Sequence, residues 1–118
     1  QKTFNFGIKV PDEKAEEVEA IIRNHAQWMR DTHSLDDSKI RLVHYYASKS
    51  PDFKNPMNPD EGTTGHTVFS INEVYVVPEG IGEHLAAAQQ WPDFPTFFSM
   101  LTTYGDVLVL GGDVIETL

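Results

Sequence analysis

The chemistry available to this chain lies in five histidines, in a glutamate set inside an apolar strand, and in a tyrosine two residues beyond it. His25 falls between Ile22 and Met29 on the apolar flank of a helical segment, so its ring should point into the protein. Imidazole titrates near neutrality, which suits a base in a pocket; the other reading is a buried neutral histidine held by one hydrogen bond. His84 and Trp91 stand two turns apart on one edge of a second helical segment. Both should reach the same space between helix and sheet, although Trp91 also reads as a core plug before Pro92. Glu73 and Tyr75 share a strand face with Phe69 and Ile71. A carboxylate there needs a partner or a raised pKa, because an unpaired buried charge is too costly. His84 is the candidate partner, and the alternative is a glutamate that only ties helix to sheet. Tyr75 offers a phenolic donor to a carbonyl or enolate oxygen, or is simply a core aromatic. His44, beside Tyr45 and Tyr46, is a further candidate for contacting a ligand. His33 and His66 fall in or beside loops and are expected to be solvated.

Other chemistries find no footing. The chain has no cysteine, which removes disulfides, thiolate metal sites and a cysteine nucleophile. The histidines and carboxylates follow no metal-binding spacing, and no glycine-rich phosphate loop occurs, so no metal or cofactor is expected. Nine Lys and Arg against 18 Asp and Glu give a net charge of −9. Such a surface repels nucleic acid and anionic membrane. No apolar run is long enough for a membrane span and no secretory pattern opens the chain, which makes cytoplasmic the expected location.

The elements that must position these residues are legible. Residues 3–10 alternate Phe4, Phe6, Ile8 and Val10 with smaller or polar partners, the signature of a strand. Pro11 and Asp12 suit a helix start, and a helix to about Arg30 buries Val18, Ile22, His25 and Met29. Residues 40–48 read as a second strand, 50–65 as a proline-rich loop, and 66–77 as a third strand. Pro78 and Glu79 open a helix with Ile81, Leu85 and Ala88 as its buried stripe. Residues 95–104 form a short third helix with Gly105 as its cap. Residues 107–115 are a last strand, bulged at Gly111-Gly112.

At 118 residues this is one α+β domain over residues 1–118. The order β-α-β-β-α-(α)-β is ferredoxin-like, with a four-stranded antiparallel sheet carrying helices on one face. Both parities of the third strand are largely apolar: Phe69, Ile71 and Tyr75 on one, Val68, Val74 and Val76 on the other. The second face therefore needs a cover, and a homodimer closing two sheets into an α+β barrel is the expected one.

The stretch 69–94 (FSINEVYVVPEGIGEHLAAAQQWPDF) resembles the antibiotic-biosynthesis monooxygenase-like families of the dimeric α+β-barrel superfamily. Glu73, Tyr75, His84 and Leu85, with Ala86 to Ala88 behind them, match the motif of a strand glutamate, an aromatic, and a helix with a His-Leu pair. The resemblance covers about a quarter of the chain. It implies a homodimer with one pocket per subunit, and places Glu73 and Tyr75 toward the helices. It also implies a cofactor-independent enzyme acting on an apolar aromatic or polyketide-like small molecule, as a monooxygenase, cyclase or isomerase. In that enzyme His25, Tyr75 and His84 would be catalytic, with His44, Glu73 and Trp91 contacting substrate. The alternatives are a non-catalytic dimer that binds a small ligand, or a haem-degrading relative. Two positions depart from the oxygenase pattern: Tyr75 stands where Trp is common, and Ile71 where Asn is expected.

Overall fold

A computed structural model describes residues 1–118. β1 (Lys2–Pro11) buries Phe4, Phe6, Ile8 and Val10 on one face. A 3-10 turn at Asp12–Lys14 leads into α1 (Ala15–Thr32), which buries Val18, Ile22, His25, Trp28 and Met29. Then come β2 (His33–Ser34) and β3 (Ile40–Phe53), followed by β4 (Thr63–Tyr75), α2 (Glu79–Gln90), α3 (Phe94–Tyr104) and β5 (Gly105–Asp113).

The class is α+β, but the sheet is five-stranded and mixed, in the order β2-β3-β4-β1-β5. β3, β4, β1 and β5 pair antiparallel as expected. The extra strand is two residues long and lies parallel to the start of β3, pairing His33 with Ile40 and Ser34 with Arg41. It exists because the chain leaves α1 in extended backbone at His33. It then turns back at once, where Asp36 accepts from the backbone and hydroxyl of Ser38.

The expected loop at 50–65 is shorter than it reads. β3 runs on to Phe53 and β4 starts at Thr63, with a 3-10 turn at Pro59–Glu61 between them. Pro51 is tolerated within β3 because β2 covers only the first two residues, which leaves the rest of the strand an outer edge. A missing N–H costs nothing on that side.

Register slips in β3 and β5 set which side chains look at the helices. Between Leu42 and His44 the register with β4 slips by one residue, so Leu42 opposes Tyr75 and Tyr45 opposes Glu73 on the same face. His44 is thereby turned to the opposite face. In β5 one slip falls at Gly111, whose φ of 76° is open to glycine and strained for other residues, and a second falls at Asp106, between Val107 and Gly105. Gly105 caps α3 as expected, its N–H returning to the Leu101 carbonyl, but in extended rather than left-handed backbone, and it also begins β5.

All three helices lie on one face of the sheet, and the molecule measures 47 × 36 × 19 Å. The thin dimension is one helix layer on one sheet, so nothing in the chain covers the outer face. That face carries half-buried Val68 and Val74 beside a polar ladder: Asn5 donates to Asn72, Asn72 to Ser70, and Ser70 meets Ser48.

The buried stripe of α2 differs from the reading of Ile81, Leu85 and Ala88. Gly80, His84 and Ala88 face inward, and Leu85 is 46% exposed. Gly80 causes the rotation. A Cβ at this position would lie 2.8 Å from Cδ1 of Tyr75, so the bare backbone lets α2 settle onto the tyrosine ring. His84, one turn later on the same flank, is carried inward with it.

Candidate functional site

Where α1, α2 and α3 meet the centre of the sheet, the core contains a polar cluster. Glu73 reaches it from β4, opposite Phe4 of β1 and Tyr45 of β3, and is fully buried. Its Oε1 accepts a 2.6 Å hydrogen bond from the Tyr75 hydroxyl. The Tyr75 oxygen in turn lies 2.7 Å from Nδ1 of His84. Nε2 of His33 is 3.0 Å from the same Nδ1. On the far side, Nε2 of His25 faces Oε2 of Glu73 at 3.9 Å, while its Nδ1 meets the Tyr45 hydroxyl at 3.0 Å.

The proton positions follow from the end of this chain that has no choice. Thr32 donates its hydroxyl to the Trp28 carbonyl, so its oxygen must accept from Nδ1–H of His33, 2.7 Å away. His33 Nε2 then holds a lone pair, and the proton between it and His84 belongs to Nδ1 of His84. The Tyr75 hydroxyl donates to the carboxylate and accepts from that same N–H. His84 is left with a bare Nε2, the nitrogen of its ring not engaged by these partners.

Burial sets the charges. It lifts the Glu73 carboxyl to about 7, with the Tyr75 hydrogen bond pulling the other way. It drives His25 down to about 3, helped by His84 and His33. His84 falls to about 3 by burial and by the neighbouring His33, and His33 to about 4 by burial. The phenols of Tyr45 and Tyr75 are pushed upward, first by burial and then by the Glu73 charge. The imidazoles are therefore neutral at pH 7, and the carboxyl is poised between its two states.

An apolar cavity of about 170 Å³ opens beside the cluster, between α2, α3 and the β1–β5 edge. His25, His84 and Trp91 line it together with Phe4, Phe97 and Phe98. His25 stacks on Phe97 with ring centres 4.2 Å apart, and Trp91 stacks on Trp28. Leu85, Phe98, Leu108 and Leu110 are exposed around the mouth.

Of the six residues singled out from sequence, the fold thus gathers five: His25, Glu73, Tyr75, His84 and Trp91. His44 is not among them, since the β3 bulge turns it away to the outer face beside Tyr46. Tyr75 is held between Glu73 and His84 and is not free to bind a substrate oxygen. His33, expected in solvent, is buried at 5% exposure and joins the cluster; its signal was the Trp28–Thr32 turn that precedes it. Tyr45 was equally hidden by the bulge.

No metal-binding spacing exists along the chain, yet the fold brings one ligand atom each of His25, Glu73 and His84 within 4.8 Å of one another. Oε2 of Glu73 is buried and has no hydrogen-bond partner. No helix is long and apolar enough to cross a membrane. Compared with protein-family models, curated proteins and solved structures, the chain matches none.

Proposed function

We propose that this protein is a small enzyme that removes a proton from a neutral, apolar, ring-bearing molecule, using its own side chains and no bound organic cofactor. The observation that carries the reading is the bare Nε2 of His84, at the cavity end of a continuous hydrogen-bond path through Tyr75 to a carboxylate. As Nε2 takes the substrate proton, Nδ1–H passes to the Tyr75 oxygen and the phenolic proton passes to Oε1 of Glu73. The imidazole never has to stay charged, which its depressed pKa forbids. The working basicity is that of Glu73 near 7, where a general base is most effective at neutral pH.

The cavity supports the substrate class. Its lining is aromatic and aliphatic, with no Lys, Arg, Asp or Glu, so a charged molecule would be stranded there. A void of about 150 Å³ holds one benzene ring, so at about 170 Å³ the pocket suits one ring, or two if the exposed rim yields. That is smaller than the polyketide frameworks which the resemblance brings to mind. The anion so formed, with its charge spread over a ring, would be reprotonated elsewhere or react with dioxygen. These are the isomerase-like and monooxygenase-like outcomes.

The subunit is proposed to act as a homodimer of ferredoxin-like units. The uncovered sheet face, with Val68, Val74 and the exposed Tyr46 and Val107, supports this.

The test is a thermal-shift screen of chelator-treated protein with phenols, naphthols and anthrone-like compounds. Each hit is then followed by oxygen uptake and by proton exchange of the bound compound in D₂O. One- and two-ring compounds should shift the melting temperature, and His84→Gln should keep the shift but abolish exchange and uptake. Exchange that survives His84→Gln would remove the proposal. Binding without exchange in the wild type would leave a ligand carrier instead.

A further inference from the structure

Glu73 has no lysine or arginine beside it; its charged-pair neighbours are the two imidazoles of His25 and His84. One of its oxygens is fully satisfied by Tyr75, and the other is buried with nothing to accept from. Buried carboxylate oxygens without partners are rare in folded proteins, and a cation is one occupant that resolves them.

We infer that the cluster of His25, Glu73 and His84 binds a single divalent first-row transition-metal ion of the Zn²⁺ or Fe²⁺ type. The inference stands on the donor set and its geometry. Two neutral imidazoles and one carboxylate are the ligands such ions select over Mg²⁺ or Ca²⁺, which want oxygen alone. One donor atom from each residue already lies within 4.8 Å of the others. With metal–ligand bonds of about 2.0–2.2 Å, the 3.9 Å gap between His25 Nε2 and Glu73 Oε2 is close to what an ion between them needs.

The surroundings are also suited to it. Tyr45 sits 3.0 Å from Nδ1 of His25 and, by rotating its hydroxyl, accepts from Nδ1–H and presents the Nε2 lone pair to the ion. Metal-bound histidines are commonly fixed by such a partner. Three protein ligands leave coordination positions open, and His25 and His84 both border the apolar cavity. To ligate through Nδ1, the nitrogen 3.7 Å from Oε1 of Glu73, His84 must move its proton to Nε2 and release Tyr75 and His33. That removes the bare Nε2, so the metal-bound state and the proton-transferring state exclude each other. Metal binding in this protein acts as a brake on the base.

The experiment uses untagged, chelator-stripped protein titrated with Zn²⁺ by calorimetry and with Co²⁺ by visible absorption. One ion per chain is expected, with Co²⁺ bands in the visible range. Glu73→Gln should weaken binding at least tenfold, and His66→Ala, far from the cluster, should leave it unchanged. Tyr45→Phe keeps all three ligands; it should weaken binding several-fold and move the Co²⁺ bands. That readout stands even where Glu73→Gln does not fold. A wild-type titration with no saturable one-to-one phase overturns the inference. So does binding that His66→Ala abolishes, or Co²⁺ bands that Tyr45→Phe leaves in place. Because the base chemistry is assayed in chelator, loss of one proposal leaves the other standing.

Discussion

The hydroxyl of Tyr75 and Nδ1 of His84 lie 2.7 Å apart, although one residue ends a strand and the other sits midway along the next helix. The contact depends on Gly80. Gly80→Ala would place a methyl group 2.8 Å from the tyrosine ring and push α2 outward. Overpacking of this kind costs about 1–3 kcal/mol, read as a lowered urea midpoint. Thermal shifts by aromatic ligands should weaken in parallel, because the cavity shares α2 as a wall. An unchanged midpoint would contradict the packing described.

Glu73→Gln should make the protein more stable at alkaline pH while abolishing proton exchange. The folded pKa of about 7 lies above the ordinary 4.5. The stability associated with the protonated carboxyl is therefore complete below about 4.5 and is lost as pH rises through 7. Glutamine keeps the acceptor for Tyr75 and carries no charge, so it loses nothing over that window. The variant's advantage should grow from pH 4.5 to pH 7.5 and level off above that, toward a difference on the order of 3 kcal/mol. Unfolding curves at the two pH values, run in chelator, decide it.

The buried histidines work in the opposite direction. Their folded pKa values of about 3 to 4 lie below the ordinary 6.5. The unfolded chain therefore binds more protons once pH drops under 6.5, and stability present above that value is lost toward pH 4. Each such proton contributes about 1.4 kcal/mol per pH unit, with Glu73 offsetting one of the three. Denaturant midpoints should fall steeply between pH 7 and 5, and His33→Gln should flatten the curve. A flat wild-type profile would mean the imidazoles are solvated.

Light scattering should report twice the 13.3 kDa chain mass at micromolar concentration. Val74→Lys, on the outer face of β4, should halve it without altering far-UV circular dichroism. A wild-type monomer would rule out the barrel-like dimer.

Much of this arrangement was legible in the residues. The β1 alternation, the His25 flank of α1 and the shared strand face of Glu73 and Tyr75 follow from period and spacing, while the turn of that face toward the helices came from the family resemblance. What stayed hidden depended on single-residue slips. A bulge between Leu42 and His44 reverses parity, so neither the exclusion of His44 nor the inclusion of Tyr45 could be read from alternation alone. His33 looked like a loop residue because two-residue strands leave no periodic trace. The inward turn of His84 was carried by a glycine, whose effect lies in the space it leaves for Tyr75.

Pro51 has a consequence beyond being tolerated within β3. The outer rim of β3 offers unpaired backbone groups over most of a 14-residue strand, a template on which another chain could stack. Pro51 interrupts that row with a position that cannot donate, and the neighbouring Lys49, which projects to Glu19, sets charge beside it. Strand-on-strand growth between molecules is thereby discouraged, and Pro51→Val should raise thioflavin-positive aggregation on prolonged storage while leaving the aromatic cavity intact.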